Sequence, residues 1–168
     1  MISVCMATYN GERYIKEQID SILCQLSEDD ELIVSDDHST DSTCVIIKSY
    51  NDNRIKLFMN ELEKGVTHNF ENALLHSSGD IRLPNKLCEL TDFLIQGNYD
   101  LVTSNCALTD SELNITQDMF YVEQSPLDKS ALENWVKNLW LGSCMAFHRK
   151  VLEATLPFPD KVVAHDLW

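Results

Sequence analysis

The 168-residue sequence predicts an α/β fold, a mostly parallel sheet with helices on both faces. Three observations carry that reading: short, almost continuous apolar runs, amphipathic stretches of helical period between them, and polar turns at the junctions. Strands and helices taking turns in this way build a doubly wound sheet with right-handed crossovers.

The first apolar run, "ISVCMA", suits a strand covered on both faces, and Asn10-Gly11 breaks it. From Glu12 the apolar positions Tyr14, Ile15, Ile19, Ile22, Leu23 and Leu26 recur at helical spacing, leaving Glu12, Lys16, Glu17 and Asp20 for water. After the polar loop "SEDDE" the unit repeats as strand "ELIVS", turn "DDHSTDS" and a helix carrying Val45, Ile46, Ile47 and Tyr50. "RIKLFMN" is a third strand. "THNFENALLHSS" is a third helix, with Phe70, Ala73 and Leu74 on one side and Gly79 as its stop. Next comes the helix "NKLCELTDFLIQGN", with Leu87, Leu90, Phe93 and Leu94 on one face, then the strand "YDLVTSNCAL" and a polar loop over residues 110–130. "SALENWVKNLWL" predicts a helix with Leu132, Trp135, Val136 and Leu139 on one face, and "GSCMAFHRKVL" a short strand running into a helix.

Thirteen basic against 27 acidic side chains give a formal charge of −14, a field that repels phosphate backbones and excludes nucleic acid as a partner. An anionic ligand therefore needs local help, from N–H groups at helix starts or from a metal ion. The six cysteines, Cys5, Cys24, Cys44, Cys88, Cys106 and Cys144, form no C-x-x-C pair and read as reduced thiols. The N-terminus has no basic region, and its apolar run is too short for a signal peptide or a membrane span. A cytoplasmic location is the expectation, with peripheral membrane association left open. The length is that of one domain.

Ligands of such sheets bind at the carboxyl ends of the strands. Two polar clusters sit there, "ATYNGE" after the first strand and "SDDHSTD" after the second. On residue type alone, Asp36 and Asp37 suit helix capping as well as ligand binding, and Tyr9 suits a core position as well as a site.

"ISVCMATYNGERYIKEQIDSIL", "ELIVSDDHSTDST" and "GVTHNFENALLHSSGD" together resemble the nucleotide-binding half of the inverting family 2 glycosyltransferases, which have the GT-A fold. The resemblance continues through "LGSCMAFHRKVLEATLPFP" to "HDLW", with a nucleotide-binding part of about residues 1–83 and an acceptor-side part of about residues 84–168. It implies transfer of a sugar from a nucleoside-diphosphate sugar to a hydroxyl acceptor, carbohydrate or lipid-linked, with inversion, as in bacterial surface polysaccharide synthesis at the inner face of the plasma membrane. Carried over by position, Ala7, Thr8 and Tyr9 receive the base and ribose, and Asn10 shapes the turn. Asp37 accepts a hydrogen bond from the base, with Asp36 the weaker candidate. Asp166 is the general base and His165 borders the acceptor.

The resemblance also implies a divalent metal, Mn or Mg, held by a D-x-D-like cluster at the end of a strand that follows "GD". Here Gly79-Asp80-Ile81 runs almost directly into "RLPNK", so the strand and its acidic cluster are expected to be lacking, and Asp80 beside Arg82 and Lys86 makes a poor substitute. Losing a central strand would remove on the order of 6 to 15 kcal/mol of side-chain burial, the whole stability of a typical domain. That favours residues missing from the chain over a clean deletion, and the stop at Trp168, just past His165-Asp166, fits a fragment. The alternative is a catalytically inactive GT-A-like binding or scaffold protein. A phosphoacceptor signalling domain is disfavoured because its acidic pair belongs after the first strand, not the second.

Overall fold

The computed structural model describes residues 1–82, 87–110, 112, 114–119 and 145–157. The strands are β1 (Ile2–Thr8), β2 (Glu31–Asp36), β3 (Ile55–Met59), β4 (Asp80–Arg82), β5 (Leu101–Thr103), β6 (Leu108–Thr109), β7 (Ile115–Gln117) and β8 (Met145–Phe147). The helices are α1 (Ile15–Leu23), α2 (Thr43–Ser49), α3 (Val66–Leu75), α4 (Leu87–Gln96) and α5 (Arg149–Thr155). A six-stranded sheet runs β3-β2-β1-β4-β8-β5, parallel from β3 to β4, with β8 antiparallel to both its neighbours.

The pleat sorts side chains to the two faces. Val4, Met6, Leu32 and Val34 pack against Ile15, Ile19, Ile22 and Ile47 of α1 and α2. Their neighbours Cys5 and Ile33 point the other way, toward Phe70, Ala73 and Leu74 of α3 and Leu152 of α5. Every residue of β2 is buried, the apolar Leu32, Ile33 and Val34 in the two core layers and the polar Glu31, Ser35 and Asp36 in hydrogen bonds at the strand's ends.

The structure corrects the expectation that a strand is lacking after Gly79. Asp80–Arg82 forms β4, central in the sheet, pairing Ile2, Ser3 and Val4 on one side and Ala146 and Phe147 on the other. Its described residues, Asp80–Arg82, pair β1 as far as Val4, whereas β1 pairs β2 as far as Thr8. Gly79 does not stop α3, which ends at Leu75; a Cβ on Gly79 would lie 2.6 Å from the Met1 carbonyl oxygen, so glycine is needed where this turn crosses the start of β1.

That amino-terminal edge is bolted by buried Glu31. Its carboxylate accepts from Ser3 Oγ at 2.5 Å, Lys56 Nζ at 2.6 Å and the Ser78 N–H at 2.8 Å, while Gly79 N–H donates to Ser3 Oγ at 2.7 Å. The bonds tie β1, β2 and β3 to the turn that launches β4.

Three further expectations change. Phe93 is 67% exposed while Leu90 and Leu94 are buried, so α4 presents a different face to the sheet. Val45 of α2 is exposed, and Ile47 fills the core in its place. β7, within the loop expected over residues 110–130, forms a small antiparallel pair with β6, which begins at the last residue of the expected strand "YDLVTSNCAL". The helix expected over residues 130–141, the side chains of Cys88 and Cys144, and both His165 and Asp166 lie outside what is described.

Candidate functional site

At the carboxyl end of β1 the strand turns out through Tyr9 and Asn10, and at the end of β2 through Asp37 and His38. The two turns are laced together. Asn10 adopts φ 48°, a left-handed conformation that asparagine tolerates. Its N–H donates to Ser39 Oγ at 2.8 Å, and its Oδ1 accepts from the Thr40 N–H at 2.8 Å. The Gly11 N–H donates to Thr43 Oγ1 at 2.8 Å. Asn10 therefore shapes the turn and joins the loops; it does not line the cleft they border.

The two adjacent acids part company. Asp36 is fully buried: Oδ2 accepts from Thr8 Oγ1 at 2.9 Å and Ser39 Oγ at 2.6 Å, and Oδ1 from the Ser39 N–H at 2.7 Å. Burial alone would raise its pKa, but the bonds from Ser39 and Thr8 together outweigh burial and hold the carboxyl below the usual aspartate value. Asp36 organises the turn. Asp37, 8% exposed, lines the cleft. Its Oδ1 accepts from Asn60 Nδ2 at 2.8 Å and its Oδ2 from the Gly65 N–H at 3.0 Å.

The cleft, of about 450 Å³, is lined by Ala7, Thr8, Tyr9, Asp37, Lys64, Gly65, Val66 and Asn69. Four of the residues expected at the site, Ala7, Thr8, Tyr9 and Asp37, thus come together, while Asn10 and Asp36 stand behind them. Tyr9 is 61% exposed, so it is not a core aromatic. The burial of Cys44, with Asp36 beside it, pushes its thiol pKa up to about 11, so it is no nucleophile at neutral pH.

Sequence reasoning missed Asn60, Lys64, Gly65 and Asn69. The sequence marks three of them, as a Lys-Gly pair just before a helix and as Asn69, three before Asn72 on the helix face that also carries Ala73, but it does not bring them to Asp37. Gly65 takes φ 132°, a conformation that needs glycine and that directs its N–H at Asp37.

Among the described residues no group of three His, Cys, Asp or Glu could hold a metal ion. Asp80 sits at the amino end of β4, opposite Ile2 and away from the cleft, where it meets His148 Nδ1 at 3.0 Å and accepts from the Arg149 N–H at 3.0 Å. The described residues do not fit the divalent ion that the resemblance implies.

A glucosyltransferase of Escherichia coli, UDP-Glc:alpha-D-GlcNAc-diphosphoundecaprenol beta-1,3-glucosyltransferase WfgD, is 33% identical over 121 residues, covering 62% of this chain and 48% of its own length. The crystal structure of S. aureus TarS residues 1–349 in complex with UDP matches with a TM-score of 0.73 and 22% identity over 99% of this chain and 52% of that one. The mannosyltransferase PcManGT from Pyrobaculum calidifontis, in complex with GDP-Man and Mn2+, matches with a TM-score of 0.65 and 22% identity over 99% and 49%. These two likenesses show the fold, that of the GT-A enzymes. The chain spans about half the length of these three relatives. Residues 3–156 match the family model described as Glycosyl transferase family 2, and the chain belongs to that family.

Proposed function

We propose that this chain binds a nucleoside-diphosphate sugar in the cleft between β1, β2 and α3 and passes the sugar to a hydroxyl acceptor with inversion at the anomeric carbon. The observation that carries the reading is the Asp37 carboxylate, an acceptor-only group fixed on the cleft wall by Asn60 and Gly65. An ionised carboxylate has about four lone-pair sites, of which these donors use two, so it can still accept the ring N–H of a base. Tyr9 offers an exposed ring for stacking. Lys64, the cation among the lining residues, gives a diphosphate a counter-charge within a chain of net −14.

Asp166 is the general base in this reading, taking the acceptor hydroxyl's proton as its oxygen attacks, and His165 borders the acceptor. The name of the E. coli relative supports a lipid-linked acceptor in surface polysaccharide synthesis, which would hold the protein at the inner face of the membrane. Among the described residues no helix is long and apolar enough to cross one. Asp166→Asn should abolish turnover while donor affinity changes little; unchanged turnover removes Asp166 from the reaction.

One observation favours the second reading, a nucleotide-binding protein without transferase activity. Among the described residues β4 pairs β1 only as far as Val4, and the sequence that follows it, Leu83-Pro84-Asn85-Lys86, carries no acid. Donor binding with no transfer by the wild-type chain, with Mn or Mg supplied, would select it.

A further inference from the structure

The buried face of α3 carries two asparagines of equal burial, Asn69 and Asn72, each 2% exposed. They clamp the carboxyl ends of three parallel strands. Asn69 Nδ2 donates to the Thr8 carbonyl of β1 at 3.0 Å, and its Oδ1 accepts from Ser35 Oγ of β2 at 2.7 Å. Asn72 Nδ2 donates to Ser35 Oγ at 2.8 Å and to the Met59 carbonyl of β3 at 3.2 Å. Both amide hydrogens of Asn72 thus have partners. Asn69 differs twice: it lines the cleft, and its second amide hydrogen has no partner among the described residues. A primary amide has two donors, and leaving one unmade in a buried position is unfavourable.

We propose that Asn69 determines nucleotide specificity, giving one amide hydrogen to the Thr8 carbonyl and the other to a carbonyl oxygen of the bound base. This rests on the nucleotide reading of the cleft. Asp37, whose own N–H donates to the same Thr8 carbonyl at 2.9 Å, supplies an acceptor, and Asn69 supplies a donor on the same cleft wall. An acceptor beside a donor reads a base edge with a ring N–H next to a carbonyl, as in uracil. With the position-4 edge of the base toward Asn69, where uracil has a carbonyl, cytosine presents the opposite pattern, a bare ring nitrogen beside an amino group, and leaves both protein groups facing their own kind. Sites built to hydrogen-bond a ligand group discriminate strongly against analogues lacking it.

The test is titration of UDP and CDP into the full chain, with Asn72→Ala as the control that loses a clamp of equal burial away from the cleft. Wild type should prefer UDP. Asn69→Ala should weaken UDP by about tenfold and bring the UDP-to-CDP affinity ratio toward unity, whereas Asn72→Ala should keep the ratio. Should Asn69→Ala fail to fold by circular dichroism, Asn69→Ser is judged by the same ratio. A ratio unchanged in the Asn69 variant, or lowered equally in Asn72→Ala, overturns the assignment to Asn69. If wild type binds neither nucleotide, the nucleotide reading itself falls.

Discussion

The Asp37 N–H donates to the Thr8 carbonyl at 2.9 Å, so the last residue of β1 is joined to the first residue after β2 where the two turns leave the sheet. That bond sets Tyr9, proposed to stack on the base, and the acidic Asp37 on one cleft.

Tyr9 tests the stacking role with little disturbance of the fold. Because the ring is 61% exposed, Tyr9→Ala should leave the melting temperature within a degree or two. It should weaken UDP binding by the equivalent of about 1 to 3 kcal/mol, the usual value of a base on an aromatic ring. Tyr9→Phe keeps the flat face and should retain affinity. Calorimetric titration of the three proteins checks this; equal affinity in all three removes Tyr9 from the site.

Acid should destabilise the protein through two buried carboxylates. Glu31 has its pKa lowered although burial, its largest influence, pushes upward; the bonds from Lys56, Ser3 and Ser78 together win. Asp36 is lowered by the same contest, with Ser39 and Thr8 as donors. A carboxyl depressed in the folded state stabilises it above the unfolded pKa, about 4, and loses that contribution as pH falls through the folded value. The urea midpoint should therefore be flat near neutrality and drop below about pH 4.5. Glu31→Gln should be less stable at pH 7, and its acid drop should be smaller. A midpoint equally pH-dependent in wild type and variant would contradict the assignment.

Gly79 tests the turn that launches β4. An added methyl would sit 2.6 Å from the Met1 carbonyl oxygen, against backbone that cannot swing away. Gly79→Ala should destabilise by about 1 to 3 kcal/mol in chemical denaturation. Loss of less than half of the lower figure would mean that the start of β1 yields.

The sheet and its first three helices were legible because strands buried on both faces leave apolar runs and helices leave a stripe. Which side of a helix faces inward was less so: Phe93 and Leu94 are neighbours, and only packing shows that Leu94 is the buried one. β4 was missed because its three residues are too few to show a period. Asp36 and Asp37 could not be separated from residue type, since both suit a cap. One turns into Ser39 and the other into the cleft, a distinction made by the backbone direction at the strand end. Asn60, Lys64 and Asn69 reach Asp37 or its cleft from elements far along the chain, and no local pattern reports such a meeting.

The most direct test of the central claim is calorimetric titration of UDP into the wild-type chain and into Asp37→Ala. Wild type should bind saturably at one site and the variant should lose at least tenfold in affinity, since a hydrogen bond to a charged group is worth about 1.5 to 3 kcal/mol. Absence of binding in wild type, or equal affinity in the two proteins, would contradict that claim.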